Sequence, residues 1–312
     1  MVFHSIDYPD RRNVFFRLKK ENMAGTMTDG SSDSCGFTPR VRIAVIGLAG
    51  NTVFMGVPRF HSGGETVHAV DFHSEFGGKG LNQAVAVARQ GGKASFLAAI
   101  GRDDAHALHR LLEAEGVDGV LSVKDVPSAH ATILTDGSGE TRVTVFPGAR
   151  LDAVDVGGFA SRIKAADFLL LNNEVAEAVN IAAARIAVDS GVKIIFNPAP
   201  SRPLPDELKR AVSIFTPNEF EEEGLDDVSG EVIMTLGAKG CRIRSTGETV
   251  PACECARPID STGAGDTFNA ALAVRLAEGM CLRDACAVAN GEAAKSVAVR
   301  YVLPSLPRRF MV

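Results

Sequence analysis

From residue 41 onward, six short apolar runs alternate with stretches of helical periodicity. They are VRIAVIGL at 41–48, ASFLAAI at 94–100, FLLLN at 168–172, KIIFN at 193–197, SIFT at 213–216 and VIMTL at 232–236. Runs this apolar have no polar face to turn to water, so they read as strands buried on both sides of a sheet. The spacing predicts helices over 79–90, 105–115, 175–190, 205–211, 218–225, 265–278 and 282–298. Strands that alternate with helices imply a parallel sheet covered on both faces.

Two regions do not fit that sheet. Residues 64–76 alternate weakly, and the β-rich runs 130–135 and 141–146 flank Asp136-Gly137-Ser138-Gly139, a hairpin turn by its chemistry. The half-polar strands within about 52–76 and 128–148 therefore form a small β lid over one end. Residues 1–40, polar and of mixed charge, read as a disordered extension to a single domain over 41–312. A net charge of −5 with no basic run argues against nucleic acid. No apolar segment reaches the roughly 18 residues a membrane helix needs. The six cysteines include no CxxC pair and read as reduced thiols of a cytoplasmic protein.

The stretch DSTGAGDTF, 260–268, carries the chemistry. Phe268, Leu272 and Leu276 recur every four residues, so the glycines sit at a helix N-terminus. Backbone N–H groups without partners and the positive end of the helix dipole favour an anion there. Gly263-Ala264-Gly265 removes side chains from that approach, and Asp266 places a carboxylate beside it. An anion site next to a carboxylate points to proton transfer during chemistry on a phosphate. A second glycine-rich helix start, GGKGLNQA at 77–84, presents Lys79 and Asn82 as polar tips. It is not a phosphate-binding loop of the Gly-x-x-x-x-Gly-Lys-Ser/Thr type.

In this order along the chain, GGKGLNQA and DSTGAGDTF resemble the two signatures of the ribokinase family, the PfkB carbohydrate kinases. GETV at 64–67, NPAP at 197–200, TPNEFEE at 216–222 and TLGAKG at 235–240 fall where that family has similar segments, so the resemblance runs from Val41 to Pro307. It implies a three-layer α/β/α sandwich with a mostly parallel central sheet and a small β lid. It implies transfer of the γ-phosphate of ATP, with Mg2+, to a hydroxymethyl group of a sugar or nucleoside. Asp266 then corresponds to the general base, and Gly263, Ala264 and Gly265 to the anion hole. The resemblance places Gly78, Lys79, Gly80, Asn82 and Glu174 at the acceptor, and Asn218, Thr235, Gly237, Lys239, Gly240 and Asn290 at the nucleotide. Glu221 helps to hold magnesium, and Asp260 and Thr262 match a monovalent cation site for K+. Exposed lid strands in such proteins pair between subunits, which implies a homodimer.

Three departures stand out against that pattern. The family's Asn and Asp after the first strand, which hold sugar hydroxyls, align with Gly50 and Thr52, leaving Asn51 as the compensating side chain. A site built for hydroxyls discriminates strongly, so this change argues against assuming D-ribose. Only 217–230 joins the fifth and sixth apolar runs, where the family has a further helix. Tyr301 stands at a glycine of the loop that supplies other cation ligands, which argues against K+ dependence. These departures keep a second reading open, a sugar- or nucleotide-binding protein of the same fold with weak turnover. A dinucleotide-dependent oxidoreductase fits poorly, because VIGLAGN lacks the spacing of Gly-x-Gly-x-x-Gly.

Overall fold

The computed structural model describes residues 41–255 and 257–309; the extension expected over 1–40 lies outside the described residues. The first strand, β1 (Arg42–Ile46), leads into a small-sheet pair, β2 (Gly50–Gly56) and β3 (Asp71–Gly77), and then into helix α1 (Lys79–Arg89). Next come β4 (Lys93–Gly101), α2 (Arg102–Ala114), β5 (Asp118–Lys124), β6 (Ala129–Thr135), β7 (Thr141–Phe146) and α3 (Ala153–Lys164). Strands and helices then alternate through β8 (Phe168–Asn172), α4 (Glu177–Asp189), β9 (Lys193–Asn197), α5 (Asp206–Ala211) and β10 (Ile214–Phe215). The chain ends with β11 (Glu231–Thr235), β12 (Cys241–Ile243), β13 (Thr249–Val250), α6 (Ala264–Ala277), α7 (Leu282–Ser296) and the short α8 (Val302–Ser305).

The large sheet has the order β13-β12-β11-β10-β9-β8-β1-β4-β5. Its strands pair in parallel from β5 to β11, and β12 and β13 add an antiparallel edge. Successive residues of β1 and β8 enter opposite cores, as period-two geometry requires. Ile43, Val45 and Leu170 pack with α1, α2, α6 and α7, whereas Ala44, Ile46, Leu169 and Leu171 pack with α3, α4 and α5. The result is a three-layer sandwich. The small sheet, order β3-β2-β6-β7, joins β2 and β6 in parallel and is antiparallel elsewhere. Among the described residues no helix is long and apolar enough to cross a membrane.

Several details differ from the sequence reading. Residues 64–70 are not strand; Glu65 accepts the Ser62 N–H and pairs with Arg59, a local turn that competes with a ladder. The helix expected over 218–225 is replaced by turns. Asn218 Oδ1 accepts the Phe220 N–H at 2.8 Å, and Glu221 accepts the Asn218 N–H at 3.1 Å, so side chains close the first turn instead of a helix ladder. Helix α3 and strand β5 were not foreseen. The first has a readable start, since Asp152 and Asp155 form a reciprocal capping box.

Candidate active site

In an open parallel sheet, ligands gather at the carboxyl ends of strands, where neighbouring connections leave in opposite directions. Here that point is β1, flanked by β4 and β8. Two glycines bring α1 against it: a Cβ on Gly47 would lie 2.6 Å from Gly80 Cα, and one on Gly80 would lie 2.5 Å from Gly47 Cα. Gly78, the residue before α1, has φ 110° and faces the Leu48 carbonyl, a conformation and a contact that a side chain would not tolerate. Strand β3 of the small sheet runs directly into this start.

Glu174 follows β8 and accepts the backbone N–H of Lys79 at 2.7 Å. Burial and the nearby Asp266 push its carboxyl up to about 7, although Lys79 and its N–H pull the other way. Burial opposes the charge of Lys79 itself, yet Asp266, Glu174 and Glu221 outweigh it and hold the ammonium above the ordinary lysine range. Three carboxylates, from α6, the end of β8 and the turn after β10, thus favour the charge of one cation. A raised carboxyl carries a stability signature. Between the ordinary value of 4.5 and about 7 the folded protein holds a proton that the unfolded chain releases, so stability falls as pH rises through that window. Glu174→Gln should therefore melt higher than wild type at pH 8 and match it at pH 4.5, with weaker acceptor binding. Melting curves at the two pH values check this; a wild-type advantage at pH 8 would refute it.

Asp266 lies in the first turn of α6 and is 4% exposed. Its Oδ2 accepts the Asn82 amide at 2.9 Å and its Oδ1 the Gln83 amide at 3.0 Å. Asn82 Oδ1 is buried and has no partner among the described residues. Gly263, ahead of α6, is left-handed at φ 82°, and a Cβ there would meet Val302 at 2.6 Å. Gly265 is exposed with nothing within 4 Å of a Cβ. The N–H groups of Gly263, Gly265 and Asp266 bond to no other described residue, while that of Ala264 reaches the Ser261 carbonyl.

The remaining candidates divide. Asn218 and Thr235 sit side by side in a parallel bridge, so the turn bearing Glu221 adjoins the Gly237–Lys239 turn. Gly240 is packed against the Val250 carbonyl, and Asn290 donates to the Val250 and Pro251 carbonyls at 3.0 and 3.1 Å; both hold the end of β13 in place. Asn51, expected to compensate for Gly50 and Thr52, lies near the start of β2. Its amide donates to Asp104 at 2.9 Å, at the base of the lid, and Thr52 packs against Gly77. At the expected cation site, Asp260 Oδ1 accepts the N–H and O–H of Thr262, and Oδ2 accepts the Tyr301 N–H. Gln83 was missed. Its place beside Asn82 in the first motif was the available signal.

A carboxylate fixed beside bare helix N–H groups serves chemistry on a phosphoryl group at a hydroxyl. The protein is a phosphotransferase built on an α/β/α sandwich. Residues 41–309 match the pfkB family carbohydrate kinase description. The chain is 32% identical to ribokinase from Haemophilus influenzae over 295 residues, 86% of this chain and 96% of the relative. Among solved structures, ribokinase from Thermotoga maritima superposes with a TM-score of 0.78 at 30% identity, covering 86% of this chain and 97% of that one. Ribokinase from Arabidopsis thaliana, solved with ribose and ATP, gives 0.75 at 28% identity, covering 86% and 96%. The chain belongs to the pfkB family and is a carbohydrate kinase.

Proposed function

We propose that this kinase transfers the γ-phosphoryl group of ATP to a hydroxymethyl group of a ribose-like sugar, with Asp266 as general base. The observation that carries the reading is the buried Asp266 carboxylate, gripped on both oxygens, at the start of a helix where the Gly263 and Gly265 N–H groups have no partner among the described residues and a Gly265 Cβ would meet nothing within 4 Å. Asp266 takes the proton of the acceptor hydroxyl as its oxygen attacks phosphorus. Such a base contributes about 10²–10⁴-fold. The N–H groups of Gly263 and Gly265 meet the charge on the transferring group, the larger part of catalysis in phosphoryl transfer. Asn82, with its free acceptor, and Glu174 hold acceptor hydroxyls, and Lys79 offsets the negative charge. Closure of the small sheet excludes water.

Among the described residues no three His, Cys, Asp or Glu side chains are grouped to hold a metal unaided. Glu221 spends one carboxylate oxygen on Asn218 and keeps the other without a protein donor. A single hard oxygen suits a hydrated magnesium, which Glu221 would hold and which would supply charge neutralisation at the phosphates. A monovalent cation does not fit as well. Asp260 is engaged by Thr262 and Tyr301, and Tyr301 at φ 66° occupies a backbone region that glycine favours. No role is assigned to potassium.

ADP release with Mg-ATP over a panel of pentoses, hexoses and nucleosides tests the proposal. Turnover with at least one ribose-like acceptor is expected, and none with any acceptor overturns it. Two copies of the chain should also pair through the lid. Strand β7 is an edge strand exposed along its whole length, with Val143 and Val145 56% and 58% exposed. Sedimentation should show a dimer that Val143→Glu/Val145→Glu dissociates; a monomeric wild type at high concentration would refute pairing.

A further inference from the structure

Gln83 is 1% exposed, in a helix whose neighbouring residues Leu81, Ala84 and Val85 are fully buried and apolar. Nothing in that packing calls for an amide, because a methionine or leucine would fill similar space without a polar group to satisfy. The one hydrogen bond its donor makes is to Asp266 Oδ1. Consecutive residues of a helix point about 100° apart. That both Asn82 and Gln83 reach one carboxylate means Asp266 lies across the edge of α1, gripped from two sides.

The two grips differ. Asn82 is 6% exposed, and its buried oxygen has no partner among the described residues. Gln83 lies deeper, at 1% exposure, and its amide donor is committed to Oδ1. An acceptor hydroxyl must share a carboxylate oxygen with the protein, and Asn82 already shares Oδ2. We propose that Gln83 is a positioning residue for the phosphoryl-transfer base: it holds Asp266 Oδ1 and so aims Oδ2 at the acceptor hydroxyl. The assignment rests on the kinase reading above. A neutral amide suits this role. Lys79 at the start of α1 and Glu174 beyond β8 already face Asp266, and a charged residue at 83 would add to that balance.

The test uses the full-length enzyme with Mg-ATP and the best acceptor of the panel, with Asp266→Asn as the floor. Gln83→Met removes the donor and keeps the bulk. Its kcat should fall by about 10–10²-fold, the scale of a misaimed reacting group, with KM for ATP and acceptor unchanged. Gln83→Glu sets two carboxylates against each other, which then share a proton. The base is freed only at higher pH, so the acid limb of the kcat–pH profile should move upward and activity should recover as pH is raised. The shift requires residue 83 to touch the base, which a side chain that only fills the core does not do. Wild-type kcat in a folded Gln83→Met, or a wild-type acid limb in Gln83→Glu, overturns the inference while leaving the kinase reading intact. If Gln83→Met melts below the assay temperature, the Gln83→Glu profile decides. A wild-type protein without turnover overturns both.

Discussion

Asp266→Asn should lower kcat by about 10²–10⁴-fold, since it removes a general base and almost nothing else. The substitution keeps the shape of the side chain at a position only 4% exposed. It does change one contact. Asn82 and Gln83 both donate to the carboxylate, and an amide can accept through only one of its two tips. One donor then faces another, at a cost of about 1–3 kcal/mol. The loss of a negative charge also relieves Glu174, whose carboxyl is raised in part by Asp266. The variant should therefore remain folded, bind ATP and lose turnover. Steady-state kinetics beside a melting curve separate the two effects. Retention of more than a tenth of wild-type kcat would show that Asp266 is not the base.

Gly265→Val should lower kcat by about 10²–10³-fold, the scale seen when a donor to a developing charge is lost, and leave the melting temperature nearly unchanged. The two glycines of this motif are present for different reasons. Gly263 is left-handed and touches Val302, so its lack of a side chain is a requirement of the fold. Gly265 is an ordinary helical residue with nothing within 4 Å of a Cβ, so the fold does not need it. Glycine in a helix is destabilising by roughly 0.5–1 kcal/mol relative to alanine, which makes an unneeded one costly. The residue is explained if a ligand must approach the backbone there. Gly263→Ala should instead lower the melting temperature together with turnover, because its Cβ would meet Val302 and shift the N–H. A Gly265→Val enzyme with wild-type kcat would remove the anion hole from the account.

Much of this was legible because the strongest signals are local. The six apolar runs read as strands, since a strand buried on both faces has no polar residue to confuse its period. Helix α6 and its glycines read correctly because the four-residue recurrence of Phe268, Leu272 and Leu276 fixes where the helix begins. The failures also have physical causes. The acidic run after Asn218 contains good helix formers, but the side chains of Asn218 and Glu221 bond the backbone within the first turn and stop it. Strand β5 carries Asp118 and Lys124 at its ends and is half-buried along most of its length, so its alternation is weak. What Gln83 touches was not legible, for another reason. Its partner lies 183 residues further on, and only the packing of α1 on α6 brings the two together. Asn51 shows the same limit. Its amide bonds Asp104 of the neighbouring helix, a contact that its place in the sequence does not show.

The most direct measurement is the fate of the γ-phosphate itself. Wild-type protein, Mg-ATP and the best acceptor of the panel would be followed by proton-coupled phosphorus NMR. The account predicts a new phosphomonoester signal split by the two protons of a terminal CH2, appearing in step with ADP and absent in Asp266→Asn. ATP consumed to free phosphate, or a phosphoryl group on a ring hydroxyl, would contradict it.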